Sequence, residues 1–593
     1  MKRKTVVRAT AIALTAAVAV AGCSAGGQNT GGPAGPKVAD SSSAVDKDGS
    51  QSKGPAADVA GSRKGGNINA IFRQDSAHWD PAMTNSSPDS TLQEMLYRRL
   101  TMYKITDGKT MLVGDLATNA GETTDGGKTW KFTLKDGVKY SDGSPISTKD
   151  IKYAVSRSFE AKFAQGFTYL QTWLADSDEY TKVYPGVYTA GKQLGDDMVE
   201  TPDDKTIIFK FKKIRADLPY VVALGTAVPI PEAKDKKDAQ DQDAAAIAAI
   251  CSGPYKMSAH DIDKSSKLVK NDAWDPATDP IRHQMPDTFS FEYGPQIAAV
   301  TDRLSASAGD DKNSVGQYSA VDPARIAQVM NDPKLKQQVV DTPTTQTNVY
   351  SINTTRVTDI NVRKALLTAF PKEAARLTQG GPSYGDFATS LGSPSLVGWS
   401  KFDIPGVTDV DPKGDPEKAK KMLADAGKSG YSITLGYTST PASEKEALAV
   451  TDGLEKAGFK VVKQPMQSKT FLNAREKLDN GLDLYWYAWA PDWVGGATVY
   501  GELYDGRKVR DGSPNNSHFS DPAVNAELDR ISTIVDANEQ GKAYNALDKK
   551  ILEQVPAIPY VYQRRQLMAG TNVGGLAADV HNVTDINHLF LKS

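Results

Sequence analysis

The chain has 593 residues, of which 39% are hydrophobic and 24% are charged, and its formal net charge is −2. This length exceeds what one hydrophobic core usually holds, so we expect roughly two to four structural units. The composition is that of an ordinary soluble globular protein, and the near-zero charge without a basic block argues against nucleic acid as a partner.

Residues 1–22 have the pattern of a signal peptide. Basic residues, the last of them Arg8, precede the apolar segment Ala9–Ala21, which is too short to span a bilayer. The sequence VAGC that ends at Cys23 resembles the lipobox of bacterial lipoproteins, in which the cysteine is lipidated and becomes the mature N-terminus. We therefore expect Cys23 to anchor the protein on the outer face of the cell membrane. An ordinary secretory signal cleaved near the same site is the alternative.

Residues 23–64 are predicted to form a flexible tether. They are rich in Gly, Ser, Ala, Asp and Pro and contain almost no large apolar residue, so they cannot bury enough surface to fold. With Cys23 lipidated, Cys251 is the only other cysteine. An intrachain disulfide is then impossible, and we expect Cys251 to be a small buried residue.

The first half of the chain after the tether is predicted to form short strands and helices. A strand is predicted at 65–74, and apolar residues at helical spacing predict a helix that carries Leu92 to Leu100. Alternating large apolar residues predict strands at 129–134 and 206–211, and Thr148 is the predicted N-cap of a helix between them.

The second half contains a strand–helix–strand unit, with strands at 431–437 and 459–465. That order predicts a partly parallel sheet. The sequence GDPEKAKKMLADAG at 414–427 predicts a helix capped by aspartate at one end and glycine at the other. One long helix is predicted at 521–554, followed by an apolar strand at 557–563.

The stretch GLDLYWYAWAPDW combines a strand pattern with a dense group of aromatic residues. Tyr487 and Trp489 share one face of the strand, and Pro491 ends it because proline has no N–H for the ladder. The turn then places Asp492 among Tyr487, Trp489 and Trp493. A carboxylate with aromatic walls is a suitable receptor for a cation on an organic body. The alternative is a buried core strand with Asp492 as a turn cap.

Motifs for catalysis and metal binding are missing from the sequence. The six histidines form no pair at helical spacing, and HExxH, CxxC and GxSxG do not occur. The Gly-Lys-Thr at 127–129 is not a phosphate loop, since that motif would require glycine where Glu122 stands. Paired carboxylates brought together only by folding stay an open alternative. We expect a protein that is not an enzyme and uses no metal or cofactor.

Several motifs together resemble the extracytoplasmic solute-binding lipoproteins of peptide-type ABC importers. The family's signature is similar to the run DLATNAGETTDGGKTWKFTLKDGVKYSDGSPISTKDIKYAVSRSF. Its matching positions are Asp125-Gly126, Trp130, Phe132, Leu134, Asp142-Gly143, Pro145, Asp150 and Arg157. Further similar segments are SGPYKM, DPEKAKKMLADAG, YAWAPDW and VPAIPYVY, so the resemblance covers about residues 64–590. Asn119-Ala120 departs from the family, where Trp is usual.

The resemblance implies an α/β protein with a two-lobed periplasmic-binding-protein-like fold, two hinge crossings and an extra α/β domain on the first lobe. Lobe I then comprises the discontinuous segments 65–103, 195–345 and 560–593. The extra domain of lobe I is residues 104–194, and lobe II is residues 346–559.

The resemblance also implies which residues hold the ligand. In such peptide binders an aspartate shortly after the tryptophan of this motif holds the ligand α-amine, and Asp492 occupies that position. Trp489 and Tyr350 match aromatic pocket positions, and Asn353 lies on the same crossing strand as Tyr350. The expected ligand-binding residues are Asp492, Trp489, Tyr487, Trp493, Tyr350 and Asn353. Trp493 and Pro491 depart from the residues that the family usually has there.

The implied partners are a peptide ligand and the ABC permease subunits in the membrane with their cytoplasmic ATPases. We expect the protein to act as a monomer. Family relatives also take nickel chelates, sugars, opines or haem. A receptor that reports a signalling peptide, or a structural surface lipoprotein, is the other class of function left open.

Overall fold

Two large sheets and three small ones organise the part of the chain that the computed structural model describes, residues 45–106, 109–317, 321–580 and 583–592. The predicted signal peptide, Cys23 and the first part of the predicted tether lie outside the described residues. The strands are β1 Asn67–Phe72, β2 Thr101–Thr106, β3 Lys109–Gly114, β4 Thr129–Thr133, β5 Val199–Glu200, β6 Thr206–Lys210, β7 Tyr255–Asp261, β8 Ser265–Lys270, β9 Thr288–Tyr293, β10 Ser314–Gly316, β11 Val339–Ile352, β12 Gly385–Phe387, β13 Ser432–Thr438, β14 Lys460–Met466, β15 Leu484–Trp489, β16 Ala557–Met568, β17 Val573–Gly574 and β18 Phe590–Leu591. The α-helices are α1 Ser87–Glu94, α2 Thr148–Arg157, α3 Tyr169–Ala175, α4 Tyr180–Val183, α5 Val187–Ala190, α6 Leu218–Val221, α7 Ala244–Ala249, α8 Ile297–Ala306, α9 Ile326–Asn331, α10 Ile360–Ala369, α11 Lys372–Thr378, α12 Pro416–Asp425, α13 Pro441–Lys456, α14 Ser468–Arg475, α15 Ala497–Leu503, α16 Pro522–Ile531 and α17 Ala537–Leu552.

Lobe I is built on a five-stranded sheet in the order β10-β1-β9-β8-β7. Strand β1 pairs in parallel with both β9 and β10, while β8 runs antiparallel to its neighbours. Alternate residues of β1, Ile68, Ala70 and Phe72, are buried, as the period of two of a strand requires. Cys251 is buried in this lobe, as predicted.

The extra domain contains the three-stranded sheet β4-β6-β5 and the hairpin β2–β3. Phe132 of β4 and Phe209 of β6 are fully buried and meet edge to face, with ring centroids 6.0 Å apart. Strands β5 and β6 therefore belong to this domain. The predicted boundary after residue 194 assigns these strands to lobe I, whereas in the structure Thr206–Lys210 pairs with β4 and its apolar face lies in the same core as that of β4.

Lobe II is built on a six-stranded sheet in the order β12-β16-β11-β15-β13-β14. Strands β13 and β14 are parallel and are joined by α13, so the predicted strand–helix–strand unit is confirmed. Helix α12 is also confirmed, with its aspartate cap: the Lys418 backbone N–H donates to Asp415 Oδ1 over 2.9 Å.

Two strands, β11 and β16, connect the lobes. Near lobe I they pair from Val339 opposite Met568, and in lobe II they pair again from Thr347 opposite Tyr562. The register is interrupted between Pro343 and Thr347, where the chain passes from one lobe to the other. The predicted crossing at 345/346 lies in this interruption, and the predicted crossing at 559/560 comes a few residues early.

Two helices end earlier than predicted. The helix expected to reach Leu100 ends at Glu94. The chain turns there, and the carbonyls of Met95 and Leu96 accept hydrogen bonds from backbone N–H groups in segment 252–255 instead of from a further helical turn. The single helix expected at 521–554 is two helices, α16 and α17. The break occurs at Asp536, whose carboxylate accepts from two backbone N–H groups and caps α17.

The predicted tether is ordered over its last part. The Asp46 backbone N–H donates to the Leu112 carbonyl over 2.8 Å, and Ser52 Oγ donates to Asp46 over 2.6 Å. Ser52 Oγ also accepts from the Gly114 N–H over 2.7 Å. Hydrogen bonds to the edge of the hairpin β2–β3 thus hold a segment that is too poor in apolar residues to signal its order in the sequence.

Candidate functional site

Asp492 lies in the turn that follows β15, at the surface where lobe II faces the extra domain. The strand ends at Trp489, ahead of Pro491, as predicted. The Asp492 backbone N–H donates to Thr498 Oγ1 over 3.1 Å, which fixes the turn against α15. Its carboxylate accepts from the hydroxyl of Tyr169 over 2.5 Å. Because Tyr169 begins α3 in the extra domain, this bond joins the two lobes.

The Asp492 carboxylate is half-buried, and the nearby Lys508, which favours its charged form, is itself paired with Glu502. Burial raises the pKa of Asp492 to about 7, although the hydrogen bond from Tyr169 acts in the opposite direction. The neighbouring Glu502 raises the pKa further. Among the described residues no lysine, arginine or histidine forms a salt bridge with Asp492. A carboxylate in this state is suited to accept a positively charged group from a ligand.

Trp493, the next residue, inserts into an aromatic cluster of the extra domain. Its ring lies 5.0 Å from that of Tyr169, edge to face, and is parallel to that of Tyr220 at a centroid distance of 6.5 Å. Trp173 completes the cluster at 6.4 Å. The indole Nε1 of Trp493 is buried without a hydrogen-bond partner among the described residues. The cluster therefore joins lobe II to the extra domain, and the Nε1–H of Trp493 is a donor without a partner among the described residues.

A cavity of about 750 Å³ lies beside Asp492 and Trp493, between the lobes. Segment 166–178 of the extra domain forms one wall, and segment 497–514 of lobe II forms the other. The volume is within the range of pockets that enclose small-molecule ligands. Acidic and basic side chains line it, and several pair with one another: Lys508 Nζ lies 2.6 Å from Glu502, and Arg507 pairs with Asp505 at 2.8 Å.

The aromatic residues of β15 lie behind the turn that carries Asp492. Tyr487 and Trp489 stack at a centroid distance of 6.4 Å, and Trp489 Nε1 donates to the Thr498 carbonyl over 2.6 Å. They line a void of only about 10 Å³, next to Thr347 and Tyr504, rather than the large cavity. Their position supports the turn.

Two predicted ligand-binding residues lie away from the cleft. Tyr350 pairs with Trp486, so its side chain is on the sheet face opposite to that of Tyr487. There it packs in the lobe II core, 4.6 Å from Phe370. Asn353 is fully buried beyond the end of β11, where its side-chain oxygen accepts from the Thr355 hydroxyl over 2.7 Å and shapes a turn.

The residues that the sequence reading missed come from the opposite wall of the cleft. Tyr169 and Trp173 belong to the run FTYLQTW, whose aromatic density was a usable signal. Tyr220 and Asp217 carry no such signal, because their place at the cleft depends on how the extra domain folds against lobe II. Within the described ranges, the structure has no group of metal-binding side chains and no helix long and apolar enough to cross a membrane.

Two lobes joined by paired crossings, with a cavity walled by both, are the arrangement of a two-lobed binding protein. The fold is similar to that of the solved structure titled "Clavulanic acid biosynthesis oligopeptide binding protein 2", with a TM-score of 0.80 and 26% identity. That likeness covers 93% of this chain and 99% of the other.

Residues 111–511 match the family described as "Bacterial extracellular solute-binding proteins, family 5 Middle", and the chain belongs to this family. The family predicted from the motifs is thereby confirmed, and with it a binding protein rather than an enzyme. Curated relatives include the periplasmic oligopeptide-binding protein OppA of Salmonella typhimurium, 23% identical over 76% of this chain and 79% of the relative. Another is the probable D,D-dipeptide-binding periplasmic protein DdpA of Escherichia coli, 24% identical over 83% of this chain and 87% of the relative.

Proposed function

We propose that this protein captures peptides between its two lobes and delivers them to an ABC importer, made of permease subunits in the membrane and cytoplasmic ATPases. The observation that carries the proposal is the Asp492 carboxylate, which has no ion-pair partner among the described residues and lies beside the cavity of about 750 Å³ between the lobes. Relatives whose names describe oligopeptide or dipeptide binding support the same ligand class.

The free amine of a peptide is the group that Asp492 would bind. Tyr169 donates one hydrogen bond to this carboxylate but brings no positive charge. A ligand ammonium supplies that charge, and the pair that it forms is a charge-assisted hydrogen bond in a largely dry site. Binding of the ammonium would lower the pKa of Asp492 from about 7, so the carboxylate would be fully ionised in the complex.

Trp493 would cover the peptide next to its amine, and Tyr487 and Trp489 would hold the turn of Asp492 in place. Closure of the lobes would bend the crossings β11 and β16, where their pairing is interrupted. Tyr350 and Asn353 are not part of this proposed site, because they lie in and beyond the lobe II core.

The lipid anchor is a further part of the proposal. With Cys23 lipidated, the protein would act as a monomer on the outer face of the cell membrane, within reach of the permease. The support is the VAGC sequence that ends at Cys23. Expression of Cys23→Ala in a bacterial host should release the protein from the membrane fraction, whereas Cys251→Ala, the matched control, should stay membrane-bound. A membrane-bound Cys23→Ala protein would show that the anchor lies elsewhere.

The binding proposal is tested by calorimetry with one alanine peptide in a free and an N-acetylated form. Acetylation removes the positive charge and changes little else, so the free peptide should bind at least about tenfold more tightly. The same peptide with a free amine and an amidated C-terminus is the control, because it changes the charge at the other end of the peptide. Equal affinities for the free and the acetylated peptide would contradict the role of Asp492.

A further inference from the structure

Asp217 is a second buried carboxylate at the cleft, on the opposite wall from Asp492. It directly precedes α6 in the extra domain and is only 8% exposed. It lines the large cavity and also a second one of about 340 Å³, which extends between Trp130 and Tyr220 of the extra domain and Ala537 of lobe II. One carboxylate thus stands where the two cavities meet.

This carboxylate lacks a cationic partner within the described part of the chain. The nearest basic residues in sequence, Lys213 and Arg215, both pair with Asp176, at 2.8 Å and 3.4 Å. The polar group near Asp217 is the neutral side-chain amide of Gln540, which comes from lobe II and whose Nε2 donates to the Ile534 carbonyl over 3.1 Å. The side chain also makes no capping bond to α6, although it occupies the N-cap position. Neither an ion pair nor a helix cap explains why a carboxylate is buried here.

Aromatic rings surround the same point. Tyr544 lines the large cavity and Tyr220 lines the second one. Burial and the nearby Asp217 carboxylate raise the pKa of the Tyr544 hydroxyl. The Tyr220 hydroxyl is buried and has no hydrogen-bond partner among the described residues. A carboxylate flanked by aromatic rings is the setting in which a guanidinium or an ammonium is bound by ion pairing and cation–π contact together.

We propose that Asp217 is a second cation-binding residue of the cleft, and that the preferred ligand is a peptide with a basic side chain, bound by Asp217, in addition to the free amine bound by Asp492. The inference rests on the proposed function. It implies that a basic peptide is held from both walls, since Asp492 belongs to lobe II and Asp217 to the extra domain.

The electrostatic state of Asp217 supports this assignment. Burial raises its pKa to about 6, and the nearby Gln540 amide only partly opposes this. By comparison, Asp176, which has its two basic partners, has a lowered pKa, chiefly because of its hydrogen bond with Lys213. A ligand cation would lower the pKa of Asp217, as Lys213 lowers that of Asp176.

The test uses calorimetry with tetrapeptides of alanine that carry either arginine or citrulline at one position. Citrulline has nearly the shape of arginine without its charge. For at least one position, we expect arginine to bind about tenfold or more tightly than citrulline. Asp217→Asn should abolish that preference. Asp178→Asn, the matched control, removes an exposed carboxylate at the edge of the same cavity and should retain it.

The outcomes separate the inference from the proposed function. If citrulline peptides bind and arginine gives no advantage at any position, or if the advantage survives in Asp217→Asn, the second site is refuted while peptide binding stands. If no peptide of either series binds the unmutated protein, the proposed function itself fails, and the inference with it. Thermal unfolding of Asp217→Asn should occur at the same temperature as that of the unmutated protein or at a higher one, because the variant loses no ion pair and no longer buries an unpaired charge.

Discussion

The chain buries carboxylates in two regions, and the two regions differ in whether the carboxylate has a cationic partner among the described residues. In lobe I, Asp115 is fully buried and accepts hydrogen bonds from Arg98 Nε over 2.6 Å and from Arg282 Nη2 over 2.9 Å. In the cleft, Asp492 and Asp217 have a tyrosine hydroxyl and an amide as their partners instead. The first carboxylate is neutralised by the protein's own cations, whereas the other two are not.

The pKa values follow this difference. Burial disfavours the charged form of Asp115, but Arg282 and Arg98 outweigh it and hold the pKa below its usual range. For Asp492 and Asp217 burial prevails, and the pKa values rise to about 7 and about 6. A paired carboxylate holds the fold together. An unpaired one at a cavity lowers the stability of the free protein and is retained, we infer, for a cation that arrives with the ligand.

The largest expected effect is on the paired carboxylate. Asp115→Ala leaves the guanidinium groups of Arg98 and Arg282 buried with too few partners, and should lower the free energy of unfolding by about 3–5 kcal/mol. Urea denaturation measures it. Asp425→Ala, which removes one half of the exposed pair with Lys421, should change the free energy by less than about 0.5 kcal/mol. A loss for Asp115→Ala as small as that of the control would mean that the buried network is not structural.

For the carboxylates without a cationic partner, the expected effect is on the ligand: Asp492→Ala should weaken binding rather than folding. The ligand amine would lose its partner inside a closed cleft, which costs about 2–5 kcal/mol, or roughly 30-fold to several-thousand-fold in affinity for a free-amine peptide. Calorimetry with that peptide gives the affinity. Should Asp492 be a turn cap instead, Asp492→Ala would lose about 1 kcal/mol of stability with nearly unchanged affinity.

The same carboxylate makes binding depend on pH. Because its pKa in the free protein is about 7, a proton competes with the ligand amine below that pH. The affinity for a free-amine peptide without basic side chains should fall about tenfold for each unit below about pH 7. The N-acetylated form of the peptide should show no such slope, and neither should the Asp492→Asn variant with either peptide. A slope of the same size in that variant would assign the pH dependence to another group.

The sequence predicted the fold well because fold depends on patterns that are local or shared across the family. Period-two strands such as β4 and β15, the caps of α12 and the unit β13–α13–β14 all follow from residues close together in the chain. The sequence does not locate the end of the extra domain, which was predicted after residue 194. The apolar face of β6 would fit the lobe I sheet or the sheet of β4, and only the packing of Phe132 on Phe209 decides between the two.

The site was predicted on one wall only. Asp492 and Trp493 are adjacent residues of a conspicuous motif, so their place at the cleft could be inferred from the sequence. Tyr169 reaches Asp492 across 323 positions of the chain, and no local pattern encodes that contact. The sequence also does not reveal the register of Tyr350 opposite Trp486, which places its ring on the sheet face away from Tyr487.

The smallest expected effect is also the most direct test of the contrast: replacement of a carboxylate by its isosteric amide in each region. Asp492→Asn can keep the bond from Tyr169 and removes an unbalanced charge. The carboxylate's pKa is raised in the folded protein, from an ordinary value of 3.8 to about 7. Its charge therefore costs nothing below about pH 4, costs progressively more as the pH rises to about 7, and costs a constant amount above that pH. The free energy of unfolding of Asp492→Asn should accordingly equal that of the unmutated protein near pH 4 and exceed it by about 1–2 kcal/mol near pH 8, with allowance for the partial exposure of the group.

Asp115→Asn should show the opposite dependence of stability on pH. Its pKa is lowered in the folded protein from an ordinary value of 3.8, so the stability that the carboxylate contributes is fully present above that value and is lost as the pH falls from it through the folded pKa. Urea denaturation gives the two slopes, measured between about pH 4 and pH 8 for Asp492→Asn and below about pH 4 for Asp115→Asn. Slopes of the same sign would mean that the two regions do not hold their carboxylates for different purposes.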